Sequence, residues 1–84
     1  MTDQEILEIF SGILRDILDD DSINVGMDTT RNEVPNWDSL AYVSFIAAAE
    51  MRLGVQFRIA DVESFATVGD IVVQTKALLQ KTKR

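Results

Sequence analysis

The sequence predicts an all-α fold: a small bundle of three main helices plus one short helix, with a long first loop. Three observations carry this. Apolar residues recur at helical spacing in three separate stretches. Each stretch opens on a good N-capping residue. The one long interval without periodicity, 19–36, holds the lone proline together with Gly26, Asn24, Asp28 and Asn32.

The first helix is expected from Asp3 to Leu18. Ile6, Leu7, Ile9, Phe10, Ile13, Leu14, Ile17 and Leu18 form its apolar face, and Thr2 with Glu5 has the spacing of a capping box. Gly12 interrupts the pattern at a cost of about 1 kcal/mol against alanine, so close packing of another element is expected there. The loop that follows is long for so small a domain. Val25, Met27 and Val34 are expected to pin it to the core, with the segments between them mobile.

The second helix is expected to begin at Asp38 or Ser39 and end near Leu53, with Asp38 as N-cap and Gly54 as the stop. Leu40, Val43, Ile46, Ala47 and Ala49, with Phe45 and Leu53, give a broad apolar face. Val55-Gln56-Phe57 reads as briefly extended, and Ala60 to Phe65 as a short helical turn. Thr67 caps the last helix, with Asp70 three residues on in place of the usual Glu. Ile71, Val72, Ala77, Leu78 and Leu79 follow, and about 80–84 is expected to fray as a basic tail of one domain spanning 1–84. Lys81, Lys83 and Arg84 suit the negative end of a helix.

Composition narrows the function. With no cysteine and no histidine, the chain lacks Cys/His and Ser/His/Asp catalysis, thiolate or imidazole metal sites and a disulfide frame. At 84 residues the core is modest, with little room for a deep substrate cavity. A formal net charge of −6 makes nucleic acid a poor partner and a basic protein surface a good one. No apolar run reaches the ~20 residues that span a bilayer. The acidic start, Met1-Thr2-Asp3-Gln4-Glu5, lacks the basic opening of a signal peptide, so the cytoplasm is the expected compartment, and a monomer the expected state.

Two acidic patterns are weak. An EF-hand loop beginning at Asp21 places Gly26 sixth, but Ile23 and Val25 then fall at ligand positions and Asn32 where a glutamate belongs. No metal is expected, and a solvated acidic surface is the better reading. Carboxylate pairs for acid–base hydrolysis arise by chance among fourteen acids.

The segment Val34-Pro35-Asn36-Trp37-Asp38-Ser39-Leu40 is more informative. Asp38 does the capping, so Ser39 is spare at the first turn, hydroxyl near solvent, on the positive end of the helix dipole, where a phosphate ester is favoured. Nothing in the chain activates this serine; another enzyme must modify it.

Trp37-Asp38-Ser39-Leu40, Glu50, Phe57, Asp61 and Glu63, then Thr67-Val68-Gly69-Asp70-Ile71, resembles the acyl carrier protein family over essentially the whole chain. The resemblance implies an acyl-carrier-like fold and no enzymatic activity. It implies a 4'-phosphopantetheine arm, transferred from coenzyme A to Ser39 by a phosphopantetheinyl transferase, whose thiol carries acyl groups as thioesters between acyl-loading and acyl-using enzymes. Asp38 and Leu40 flank the attachment point; Trp37, Leu40, Tyr42 and Glu50 are implied partner contacts, with Tyr42 expected exposed. Val43, Ile46, Phe57, Val62 and Phe65 are implied to line a soft cleft for the acyl chain, beside the simpler reading that they are ordinary core.

The sequence departs from carriers of general fatty-acid synthesis. Ala41, Tyr42, Ser44 and Ala48 leave the face after Ser39 nearly neutral, Glu50 is the sole acid before Gly54, and Ile59-Ala60 stands where such members tend to be acidic. Peptide-synthesis carriers often have Gly-Gly before the serine, where this chain has Trp37-Asp38. A specialised carrier of polyketide, modified acyl or aminoacyl groups fits better. The rival reading is a helical protein-interaction module without a prosthetic group, with Ser39 a mere capping-region residue.

Overall fold

The computed structural model of the chain describes residues 1–82. Four helices follow one another: α1 (Asp3–Leu18), α2 (Ser39–Leu53), α3 (Ile59–Ser64) and α4 (Val68–Thr82), with one 3-10 turn (Arg31–Glu33) in the long loop. Each end is set by local chemistry. Thr2 and Glu5 close a reciprocal box, Glu5 N–H donating to Thr2 Oγ1 (3.2 Å) and Thr2 N–H to Glu5 Oε1 (2.8 Å). Gly54 ends α2 in the left-handed conformation, φ 66°. The Asp70 carboxylate takes the N–H groups of Ala66 (2.8 Å) and Thr67 (3.1 Å), while Asp70 N–H donates to Thr67 Oγ1 (3.2 Å). Those backbone donors hold the Asp70 carboxyl below its usual range. The last helix persists through Gln80-Lys81-Thr82, where the sequence suggested fraying; Lys83 and Arg84 lie outside the described residues.

α1 packs against both α2 and α4. Ile6, Phe10 and Leu14 of α1 are fully buried, as are Phe45 and Ala49 of α2 and Val72 of α4. The Phe10 and Phe45 rings meet edge to face, centroids 5.1 Å apart. The inner face of α2 is narrower than its composition suggests. Phe45, Ile46 and Ala49 are buried, whereas Leu40, Val43 and Ala47 face outward. Ala77 of α4 is exposed too. No helix among the described residues is long and apolar enough to cross a membrane.

The long loop is fastened at four points. Ile23, Val25 and Val34 are buried, and Met27 packs against the core. Arg15 Nε donates to Ile23 O (2.7 Å), and Val25 N–H donates to the buried Ser11 hydroxyl (3.0 Å). At the far end, Val68 N–H donates to Thr29 O and Gly69 N–H to Met27 O, both at 2.8 Å. The loop thus satisfies two of the amides that a helix start leaves unpaired. These anchors tie the loop to the core at intervals along its length.

Two glycines separate cleanly. A Cβ on Gly69 would lie 2.5 Å from Met27 O, so only glycine lets α4 approach the loop. Around Gly12 nothing lies within 4 Å, so the close packing expected there is absent. Gly69→Ala is therefore expected to lower stability by about 1–3 kcal/mol, and Gly12→Ala to raise it by up to about 1 kcal/mol. Urea unfolding of both variants checks this; equal effects of the same sign would contradict it.

Candidate functional site

The site begins with how the chain enters α2. Asn36 adopts a left-handed backbone, φ 68°, which asparagine tolerates better than most residues. Asp38 N–H folds back to Asn36 O (3.0 Å). The Asp38 side chain then accepts from Ala41 N–H (2.9 Å), a cap worth about 1 kcal/mol. Ser39 is left at the first helical position, exposed, and among the described residues no hydrogen bond engages its hydroxyl.

Trp37, expected among partner contacts, is only 5% exposed and belongs to the core. Its ring packs against Phe45 (5.3 Å) and Tyr42 (6.0 Å), so it holds the site from beneath. Its indole N–H has no hydrogen-bond partner among the described residues.

A groove of about 730 Å³ runs between α2 and the segment that carries α3. Its α2 wall is Ser39, Tyr42, Val43, Ile46 and Glu50, spread over about three turns of one helix face. At 1.5 Å per residue, Ser39 and Glu50 lie about 16 Å apart along the axis. The opposite wall includes Phe57, Ile59, Val62 and Phe65, with the Phe57 and Phe65 rings edge to face at 5.9 Å. The five residues expected to line an acyl cleft, Val43, Ile46, Phe57, Val62 and Phe65, therefore border one groove, with Ser39 at its α2 N-terminal end. Leu40 stands beside that end, 78% exposed.

Two expected partner contacts, Tyr42 and Glu50, also make hydrogen bonds within the chain. Tyr42, expected exposed, is half-buried, and its hydroxyl donates to Val62 O (2.8 Å), tying α3 to α2. The Arg31 guanidinium stacks 4.5 Å from its ring centroid. Burial pushes the Tyr42 hydroxyl above its usual pKa, against the opposing pull of Arg31. Glu50 closes the far end of the groove, Oε2 accepting from Phe57 N–H (2.8 Å).

Sequence reasoning missed Ile59, 78% exposed on the groove's lip, and Arg31, which also lines it. Ile59's place in a short helix with no buried residue left no periodic signal. Arg31 reaches Tyr42 from the aperiodic loop. The geometry offers little to hydrolysis. The carboxyls whose acidity the fold shifts, Glu5, Asp20 and Asp70, all move downward, opposite to what a general acid near neutral pH requires. Asp20 spends its carboxylate on Ser22, accepting from its backbone N–H (3.0 Å) and its hydroxyl (2.6 Å).

The fold is that of an acyl carrier protein. The chain superposes on the solution structure of a holo acyl carrier protein from Geobacter metallireducens with a TM-score of 0.82 and 28% identity, covering 90% of this chain and 87% of that one. No protein-family model matches the chain, and no curated protein matches it in sequence. The structural likeness supports a carrier role in general terms.

Tyr42→Phe keeps the ring against Trp37 and Arg31 but removes the bond to Val62 O. A loss of about 1 kcal/mol in stability is expected, with faster amide exchange across α3. Urea unfolding and hydrogen exchange check this; unchanged exchange in α3 would show that the hydroxyl does not hold the groove's outer wall.

Proposed function

We propose that this protein carries acyl groups as thioesters on a 4'-phosphopantetheine arm attached at Ser39 and presents them to partner enzymes. One observation carries the reading: an exposed, unengaged serine hydroxyl stands at the end of an apolar groove, in a fold shared with a holo acyl carrier protein.

The residues present fit the arm. The Ser39 hydroxyl is free because Asp38 caps the helix in its place, and the α2 N-terminus favours the negative charge of a phosphodiester. The prosthetic group supplies the thiol that a chain without cysteine lacks. The chain has no histidine to deprotonate Ser39, and the neighbouring carboxylate, Asp38, is occupied by Ala41 N–H. The base and the Mg²⁺ therefore belong to a phosphopantetheinyl transferase. In that step Ser39 Oγ forms a new bond to the phosphorus that bears the pantetheine in coenzyme A. The pyrophosphate bond breaks, adenosine 3',5'-bisphosphate leaves, and the serine proton passes to the transferase.

The groove then shelters the cargo. Its volume of about 730 Å³ is within the range of small-molecule sites, and Val43, Ile46, Phe57, Val62 and Phe65 offer an acyl chain apolar surface. The carrier performs no chemistry of its own on this reading. A specialised pathway fits better than general fatty-acid synthesis, because α2 presents a single acid, Glu50, and that carboxylate is engaged by Phe57 N–H.

Incubation with coenzyme A, Mg²⁺ and a broad-specificity transferase is expected to add the mass of one phosphopantetheine, and Ser39→Ala to abolish the gain. An undiminished gain in Ser39→Ala, or none in the wild type, would overturn the proposal.

A further inference from the structure

Arg31 is the one cation among the residues that line the groove, and among the described residues no carboxylate pairs with it. Other cations are engaged: Arg15 on Ile23 O, Arg58 on Asp61 and Lys76 on Asp3. Arg31 instead lies over the Tyr42 ring, 4.5 Å from its centroid. Its nearest acid in sequence, Glu33, is spent on Thr30, Oε1 accepting from the backbone N–H (2.7 Å) and from Oγ1 (3.3 Å). A guanidinium seated on a ring keeps its five N–H donors for other partners.

The loop fixes where this side chain starts. Arg31 opens the 3-10 turn Arg31–Glu33, which the Thr30–Glu33 bonds close. Its carbonyl accepts from the N–H of Val34 (3.2 Å), a buried residue. The backbone that carries the guanidinium is thus pinned on both sides, so little ordering remains when a ligand binds.

A planar fork of N–H donors fits an oxyanion. Ser39 and Tyr42 stand three residues apart on α2, with Cβ atoms about 5–6 Å apart on one face. Arg31, seated on Tyr42, is therefore a neighbour of Ser39, and both border the same groove. A phosphodiester on Ser39 Oγ adds negative charge between Asp38, the preceding residue, and Glu63, which also lines the groove. That repulsion calls for an offsetting cation, and Arg31 is the one in place.

We propose that Arg31 is a positioning residue whose guanidinium holds the phosphodiester of the arm and sets the arm's base toward the groove. This rests on the reading of Ser39 as the attachment site. The same fork fits a carboxylate at the end of the cargo. Attachment favours the phosphodiester, which Ser39 fixes one side chain away, whereas a cargo carboxylate starts a full arm's length from that oxygen.

The test follows the Arg31 guanidinium N–H resonances and the phosphorus resonance of the arm by NMR, in the apo, holo, octanoyl and succinyl forms. Conversion of apo to holo is expected to move the guanidinium resonances, and loading either acyl group to move them little further. The phosphorus shift of the wild type is expected to differ from that of Arg31→Gln, which matches the arm on the urea-unfolded holo protein. Arg31→Lys, which keeps the charge but loses the fork, falls between. The pair is exposed, so its bound-to-free ratio is up to about 5:1. Raising NaCl from about 50 to 500 mM therefore moves the wild-type phosphorus shift toward that of Arg31→Gln. Because Arg31→Gln also removes the contact with Tyr42, the apo-to-holo comparison on the wild type carries the decision. Guanidinium resonances unmoved by arm attachment overturn the inference while leaving Ser39 as the attachment site. Resonances that move only in the succinyl form also overturn it, because Arg31 then reads the cargo. A wild type that gains no phosphopantetheine removes both readings.

Discussion

Trp37 lies packed against Phe45 and Tyr42, at the last step of the long loop before α2. Burying that indole fixes the chain's approach to the helix, and the next residues have little choice. The backbone turns at Asn36, Trp37 goes inward, Asp38 reaches over the first turn to cap it, and Ser39 is left facing water. The ring is held there by its edge-to-face and tilted packing against Phe45 and Tyr42. The exposure of Ser39 is thus a consequence of what is buried two residues earlier.

A second consequence concerns stiffness. α1, α2 and α4 share one apolar core and cannot separate without opening it. α3 has no buried residue of its own. It is held by the Tyr42–Val62 hydrogen bond, the Phe57–Phe65 ring pair and the Glu50 bond to Phe57 N–H. The groove therefore has one wall, α2, set in the core, and one, α3, held at its edge. Ser39 belongs to the wall that is set in the core.

Most of the architecture was legible because it is local. The bounds of α1, the Asp38 and Thr67 caps and the Gly54 stop are set by residues within a turn of each other. What depended on distant neighbours was not legible. Leu40, Val43 and Ala47 look like core in a helix that is apolar on nearly every side, and only the positions of α1 and α3 decide which face is covered. Tyr42 and Glu50 read as surface residues because their partners, Val62 O and Phe57 N–H, lie seven to twenty residues on. Gly69 stood in plain view beside the Thr67–Asp70 cap, but its necessity comes from Met27 O across the fold. The candidate site followed the same division: Ser39 was marked by its local setting, while the groove beside it needed the packing of α3.

The central claim is that the groove starting at Ser39 receives what Ser39 carries. The most direct measurement compares backbone amide NMR shifts of the holo protein with those of the same protein bearing an octanoyl thioester. Burial of the chain predicts shifts at Ile46, Phe57, Val62 and Phe65, along the groove and well beyond the first turn of α2. Shifts confined to Ser39 and its immediate neighbours would contradict the account, because the acyl chain would then lie in solvent.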